Sequence, residues 1–174
     1  AAASPSIVDL MELRATQESD RTYLARLNFL TDTFGDEHGE IGQEEAEGSD
    51  DYVGNWDPEA EGGVLAFDQF RVPAGGVWLR YWSTPEQGWA NLGSDIPEIA
   101  IAVERRYAGH KLAVRLLAAA VELAAKQGAP KVALWVDPNN ERARHRYETF
   151  GFKNVDGHDN VMAVDVEDFR ADNN

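Results

Sequence analysis

The chain has 174 residues, 43% of them hydrophobic, with no cysteine and a formal net charge of −15. That length fits one domain over 1–174 with a single sizeable core. The missing cysteine excludes a disulfide framework, a thiolate metal site and a cysteine nucleophile, and the acidity argues against nucleic acid, whose phosphates need a basic face.

No run approaches the roughly 18 apolar residues of a membrane span, and the N-terminal AAASPSIVDL lacks a basic region and an apolar core. The expectation is a cytoplasmic protein with no membrane partner. Its charge is uneven. Between Gly35 and Gly63 stand eleven acidic residues and no Lys or Arg, leaving 20 acids against 16 bases elsewhere.

In chain order, Ile7–Arg14 predicts a strand. Thr16 can cap a helix whose stripe is Tyr23, Leu27, Leu30 and Phe34, and Gly35 stops it. The acidic, Gly-rich stretch to Gly63 is too polar to pack by itself, although Trp56 within it should dock on something. Val64–Phe70 and Val77–Ser83 read as a hairpin around the turn signal Pro73-Ala74-Gly75-Gly76. A Gly-, Pro- and Asn-rich loop covers 84–97, and Glu98–Val103 is a buried strand. A long Ala/Leu helix follows from Gly109 to Gln127, with Leu112, Leu116, Ala120 and Leu123 on one face. Lys131–Val136 is a strand, Asn140–Thr149 a helix broken by Gly151, and Val161–Val166 a last strand. The strands at 98–103 and 131–136 should run parallel across the long helix, in a mixed α/β layout with a mostly antiparallel sheet and helices on both faces.

Two blocks carry chemistry. In VERRYAGHKLAVRLLAAAVELAAKQG, Val103 to Gly128, a strand ends, a short loop holds a glycine, and a helix begins. Unpaired N–H groups and the positive dipole end make such a junction a natural pyrophosphate site, although any strand-to-helix junction offers as much. The second block, WVDPNNERARHRYETFGF, spans Trp135 to Phe152 and holds Asn140, Ala143, Tyr147 and Gly151-Phe152.

The second block resembles the GNAT acetyltransferases, whose signature runs strand, Asn, two residues, Ala, a few residues, Tyr, and a closing Gly-Phe. The first block is similar to that family's acetyl-CoA loop, (Gln/Arg)-x-x-Gly-x-(Gly/Ala). In this frame Ala108 takes the Gln/Arg position, Gly109 follows, Lys111 takes the central Gly, and Ala113 the final Gly/Ala. Ala108 and Lys111 depart from the pattern. Lys111 loses the close backbone approach a glycine permits, and can supply a cation instead, as can Arg105 or Arg106.

The resemblance implies an N-acetyltransferase that moves the acetyl group of acetyl-CoA to a primary amine in a ternary complex. The acetyl-CoA-binding half would be about 98–152. Backbone of Ile101 and Val103 would pair with the pantetheine arm. Ala108, Gly109, His110, Lys111, Leu112 and Ala113 would form the pyrophosphate loop, and Asn140 would hydrogen-bond the cosubstrate or cap its helix. Tyr147 is implied as the general acid for the thiolate, against a core-anchor reading; Glu98 as the base, against a plain strand-end carboxylate. His38 and His158 are loop residues without partners at metal spacing, so no metal is expected, and His145 stands on the last helix. The acidic segment is either a rim selecting a cationic amine or a solvated loop. Phe34, Tyr52, Trp56, Trp82 and Trp89 could line an acceptor pocket or simply pack. A homodimer is the assembly the family most readily offers. The competing reading is a non-catalytic acyl-CoA-binding or interaction module that kept the fold.

Overall fold

The computed structural model describes residues 6, 8–40, 50–109 and 111–173. It divides into two units, Ala1–Trp78 with Ile101–Ala119 and Leu79–Ala100 with Ala120–Asn174. Among the described residues the strands are β1 (Glu12–Ala15), β2 (Gly63–Phe67), β3 (Pro73–Arg80), β4 (Glu98–Val103), β5 (Lys131–Trp135), β6 (Lys153–Asn154) and β7 (Val161–Asp165), in a mixed, mostly antiparallel sheet of order β1-β2-β3-β4-β5-β7-β6, as expected.

The first unit holds β1 (Glu12–Ala15), α1 (Arg21–Asp32), β2 (Gly63–Phe67), most of β3 (Pro73–Arg80), the end of β4 (Glu98–Val103) and the start of α2 (Leu112–Lys126). β2 pairs antiparallel with β1 and with β3, and the Glu104 N–H donates to Ala74 O at 2.9 Å just past the end of β4. Leu24, Leu27 and Leu30 put the apolar stripe of α1 in the core, as the helical spacing requires.

Several expectations fail here for identifiable reasons. The first strand is shorter than Ile7–Arg14, because Val8–Leu10 is a short 3₁₀ turn. Thr16 caps nothing: its hydroxyl is buried without a hydrogen-bond partner among the described residues. Asp20 instead accepts from Gln17 N at 2.8 Å, while Arg14 grips both its oxygens at 3.0 Å. Phe34 leaves the stripe because α1 stops at Asp32; it sits at φ +55° with its ring exposed.

The expected hairpin forms, since β2 and β3 are consecutive and antiparallel, but its turn lies elsewhere. Pro73-Ala74-Gly75-Gly76 lies inside β3, and the turn is 68–72, where Asp68 Oδ1 accepts from the N–H groups of Phe70 and Val72 at 2.9 Å. The two glycines serve close packing: a Cβ on Gly75 would come within 2.7 Å of Ala102 O, and one on Gly76 within 2.5 Å of Leu65 Cδ2. The acidic stretch also packs more than its polarity suggests. Residues 41–49 lie outside the described residues, but Val53, Trp56 and Glu61 are buried, so the docking expected of Trp56 is observed. Arg21 holds this segment, donating to the carbonyls of Val53, Gly54 and Trp56 and lying over the Trp56 ring.

The second unit holds the start of β4, β5 (Lys131–Trp135), α3 (Glu141–Phe150), β6 (Lys153–Asn154), β7 (Val161–Asp165) and α4 (Val166–Asp172). β4 and β5 are parallel, as the intervening helix requires, and the register pair between them is Glu98 with Ala133. β7 pairs antiparallel with β5 and with β6. The two-residue β6 and the seven-residue α4 were too short to show a period; Asp165 caps α4 by accepting from Asp168 N at 3.1 Å.

Candidate functional site

In the first unit, β4 delivers the chain into the segment 104–111, with the side chains of Ile101 and Val103 half-buried before it. Arg105–Tyr107 make one 3₁₀ turn, closed by Tyr107 N donating to Glu104 O at 2.9 Å. Ala108, Gly109 and Lys111 are exposed, and His110 lies outside the described residues. Gly109 sits at φ +84° with open space where a Cβ would be, and Lys111 at φ +64°. The left-handed backbone of a glycine is thus imposed on a lysine, at the loop position the motif reserves for glycine. Then α2 begins at Leu112. The side chains of Leu112 and Ala113 point into the core, so only their backbone groups can serve a ligand.

That loop is braced from below. Glu104 is 3% exposed, and its carboxylate accepts from Tyr23 Oη at 2.7 Å, from Arg26 Nη2 at 2.7 Å and from Arg26 Nε at 3.0 Å. Burial raises the Glu104 pKa, but the bonds from Arg26 and Tyr23 outweigh it and hold the carboxyl below its usual range. Its own burial, with the same contact added, pushes the Tyr23 phenol far above its ordinary range. Arg106 donates to Pro73 O and lies over the Tyr107 ring, and the Tyr107 hydroxyl donates to Asp68. Sequence reasoning missed this network. Glu104 drew no reading of its own from the sequence, and Tyr23 read as one more member of an apolar stripe.

In the second unit, Asn140 Oδ1 accepts from Ala143 N at 3.2 Å, so its side chain caps α3. Tyr147 lies two turns along, half-buried, its ring edge-on to Phe152 with centroids 5.9 Å apart. Gly151 ends α3, and Phe152 N returns to Tyr147 O at 2.9 Å, the reciprocal closure that a Gly-Phe ending provides. The Tyr147 hydroxyl makes no hydrogen bond among the described residues. Burial pushes its pKa above the ordinary phenol value, with Arg146 opposing. Glu98 is 3% exposed, and its Oε1 accepts from Trp82 Nε1 at 3.0 Å, Trp89 N at 3.2 Å and Ala90 N at 2.9 Å. Three donors on one oxygen tie the loop before β4 to that strand. Of the aromatic residues considered for an acceptor pocket, Trp56 and Trp82 are buried, while Phe34 and Trp89 are exposed.

With this geometry in place, the sequence also matches the profile of the Acetyltransferase (GNAT) family over residues 24–152. The chain belongs to the GNAT acetyltransferase family. No curated protein matches it in sequence. Solved GNAT structures share its fold. An acetyltransferase of Staphylococcus aureus Mu50 is 12% identical, with 90% of this chain and 99% of that one covered and a TM-score of 0.67. The spermidine/spermine N-acetyltransferase of Vibrio cholerae is 19% identical, covering 97% and 100%, with a TM-score of 0.62. A dodecameric spermidine N-acetyltransferase structure from the same organism is 19% identical, covering 92% and 96%, with a TM-score of 0.60.

Within this GNAT chain, the structure brings Ile101, Val103, Ala108, Gly109 and Lys111 together on one β4–loop–α2 segment of the first unit, and Glu98, Asn140 and Tyr147 in the second. Among the described residues no group of three or more His, Asp or Glu side chains is placed to hold a metal, and no helix is long and apolar enough to cross a membrane.

Proposed function

We propose that this GNAT protein binds acetyl-CoA and transfers its acetyl group to a cationic primary amine by direct attack in a ternary complex. The observation that carries the proposal is the loop after β4. It is exposed, left-handed at Gly109 and Lys111, open above Gly109, and followed by a 15-residue helix. An anionic pyrophosphate needs those features: free N–H groups at a long helix's start, backbone that can be approached, and a nearby cation. Lys111 and Arg105 are exposed and can supply that cation.

The amine nitrogen attacks the thioester carbonyl carbon, the carbon–sulfur bond breaks, and the thiolate takes a proton. We assign that proton to the Tyr147 hydroxyl, which burial keeps protonated at neutral pH and which no other described group occupies. The acceptor ammonium first gives one proton to solvent, so that a neutral nitrogen attacks, and the second proton, lost as the amide forms, returns through solvent to the Tyr147 phenolate. Glu98 is assigned as an anchor, because acting as base would compete with the three hydrogen bonds its Oε1 accepts. Asn140 serves first as the α3 cap. The acidic segment between Gly35 and Gly63, with its eleven carboxylates, favours a cationic acceptor by long-range attraction. The Vibrio cholerae relatives by structure are named for spermidine, which puts polyamines at the head of the panel to be screened.

Thiol release from acetyl-CoA against polyamines, aminoglycosides and basic peptides tests the reading. At least one amine should raise release well above the amine-free blank. Tight acetyl-CoA binding with no release for any amine would favour the non-catalytic alternative. A second expectation concerns Lys111→Gly. Relief of the left-handed backbone should stabilise the fold by about 0.5–1 kcal/mol in thermal melts. Loss of the cation should weaken acetyl-CoA roughly tenfold. Tighter binding instead would mean that the side chain merely obstructs the loop.

A further inference from the structure

We infer that Glu104, gripped by Arg26 and Tyr23 of α1, is a positioning residue that fixes the loop leading into α2 for the pyrophosphate of acetyl-CoA. The inference rests on the acetyl-CoA reading above. It concerns Glu104, Arg26 and Tyr23, none of which the family motif includes.

An ion pair made on a buried carboxylate adds little net stability, because taking the charge out of water offsets the attraction. Exchanging such a pair for packed apolar residues commonly costs nothing in stability, so stability alone gives little reason to keep one. What an ion pair with fixed hydrogen bonds does supply is geometry, since its donors and acceptors tolerate little sliding. Glu104 has that geometry: Arg26 addresses it through Nε and Nη2, and Tyr23 through its hydroxyl, on a side chain almost wholly removed from solvent. Its backbone is fixed as well, by N–H to Ala74 O at 2.9 Å and by C=O from Tyr107 N at 2.9 Å.

The bracing then stops where a ligand would begin. Arg106 is committed to Pro73 O and the Tyr107 ring, and Tyr107 to Asp68. Past them, Ala108, Gly109 and Lys111 are exposed. A rigid base under an open, exposed segment is the arrangement that preorganised binding requires, since it limits the ordering cost when the ligand arrives.

Charge gives Arg26 a second task. An unpaired carboxylate at 104, only a few residues from an anion-binding loop, would repel pyrophosphate. Arg26 neutralises it at 2.7 Å while its own side chain stays partly in solvent. The acid is therefore retained for its hydrogen bonds without its field opposing the ligand.

The test compares calorimetric dissociation constants for acetyl-CoA and for S-acetylpantetheine, which carries the same thioester without pyrophosphate or nucleotide. Wild-type protein should bind acetyl-CoA far more tightly than the truncated thioester. Equal affinity would overturn the acetyl-CoA loop reading itself. Glu104→Gln should weaken acetyl-CoA about tenfold and leave S-acetylpantetheine within about twofold. Tyr23→Phe keeps the ring, removes one donor, and should shift the same ratio in the same direction by roughly threefold; it decides the matter if Glu104→Gln does not fold. Unchanged affinity for both ligands, or equal weakening of both, would overturn the positioning role while leaving the loop reading in place.

Discussion

Tyr147→Phe should lower turnover about 10²–10⁴-fold while leaving acetyl-CoA affinity within about twofold and the melting temperature unchanged. The hydroxyl makes no hydrogen bond among the described residues, so removing it strands no partner. The ring keeps its edge-on contact with Phe152 and its place before the Gly151 turn. A pure stability role is therefore insensitive to this substitution, whereas a proton donor is abolished by it. The pH dependence sharpens the distinction. Burial raises the Tyr147 pKa above the ordinary phenol range, with Arg146 opposing, so the protonated acid persists and its loss should not limit turnover until beyond the pH at which a free phenol ionises. An unchanged rate in Tyr147→Phe would reduce Tyr147 to a core anchor.

Glu98→Ala should cost about 3–5 kcal/mol, a drop in melting temperature on the order of 10 °C for a chain of this size. The substitution leaves Trp82 Nε1 and the N–H groups of Trp89 and Ala90 without the oxygen they share. The damage should spread along the loop. Gly88 lies against the Trp82 indole so closely that a Cβ there would fall 2.4 Å from it. Glu98→Gln preserves shape and one carbonyl oxygen and should cost only about 1–2 kcal/mol, with turnover of the folded variant reduced less than tenfold. Thermal melts and steady-state rates on the same preparations separate the two roles. A normal melt with a rate loss of 10² or more in Glu98→Gln would restore Glu98 as the base.

The contrast between these two residues shows how far the sequence could be read. Tyr147 and Asn140 were legible because their spacing to Gly151-Phe152 is local: one helix, one cap and one stop fix them together. β4 and β5 were legible for the same reason, as apolar runs either side of a long helix. What Glu98 touches was not legible, since its three donors come from a loop eight to sixteen residues earlier. Glu104 meets Tyr23 and Arg26 across about eighty positions, a pairing no periodicity encodes. The misplaced hairpin turn has another cause. Gly75 and Gly76 carry the composition of a turn, but they are glycines because neighbouring strands leave no room for a side chain. Lys111 is the opposite case: the motif placed a glycine there, and the backbone kept the glycine's conformation without the glycine.

We propose that the segment from Val103 to Ala113 receives the pyrophosphate of acetyl-CoA. Titration calorimetry of the purified chain with acetyl-CoA, repeated with S-acetylpantetheine, tests it most directly. Acetyl-CoA should bind saturably, be competed by CoA, and bind much more tightly than the truncated thioester. No detectable heat from acetyl-CoA at millimolar concentration, or equal affinity for both thioesters, would contradict it.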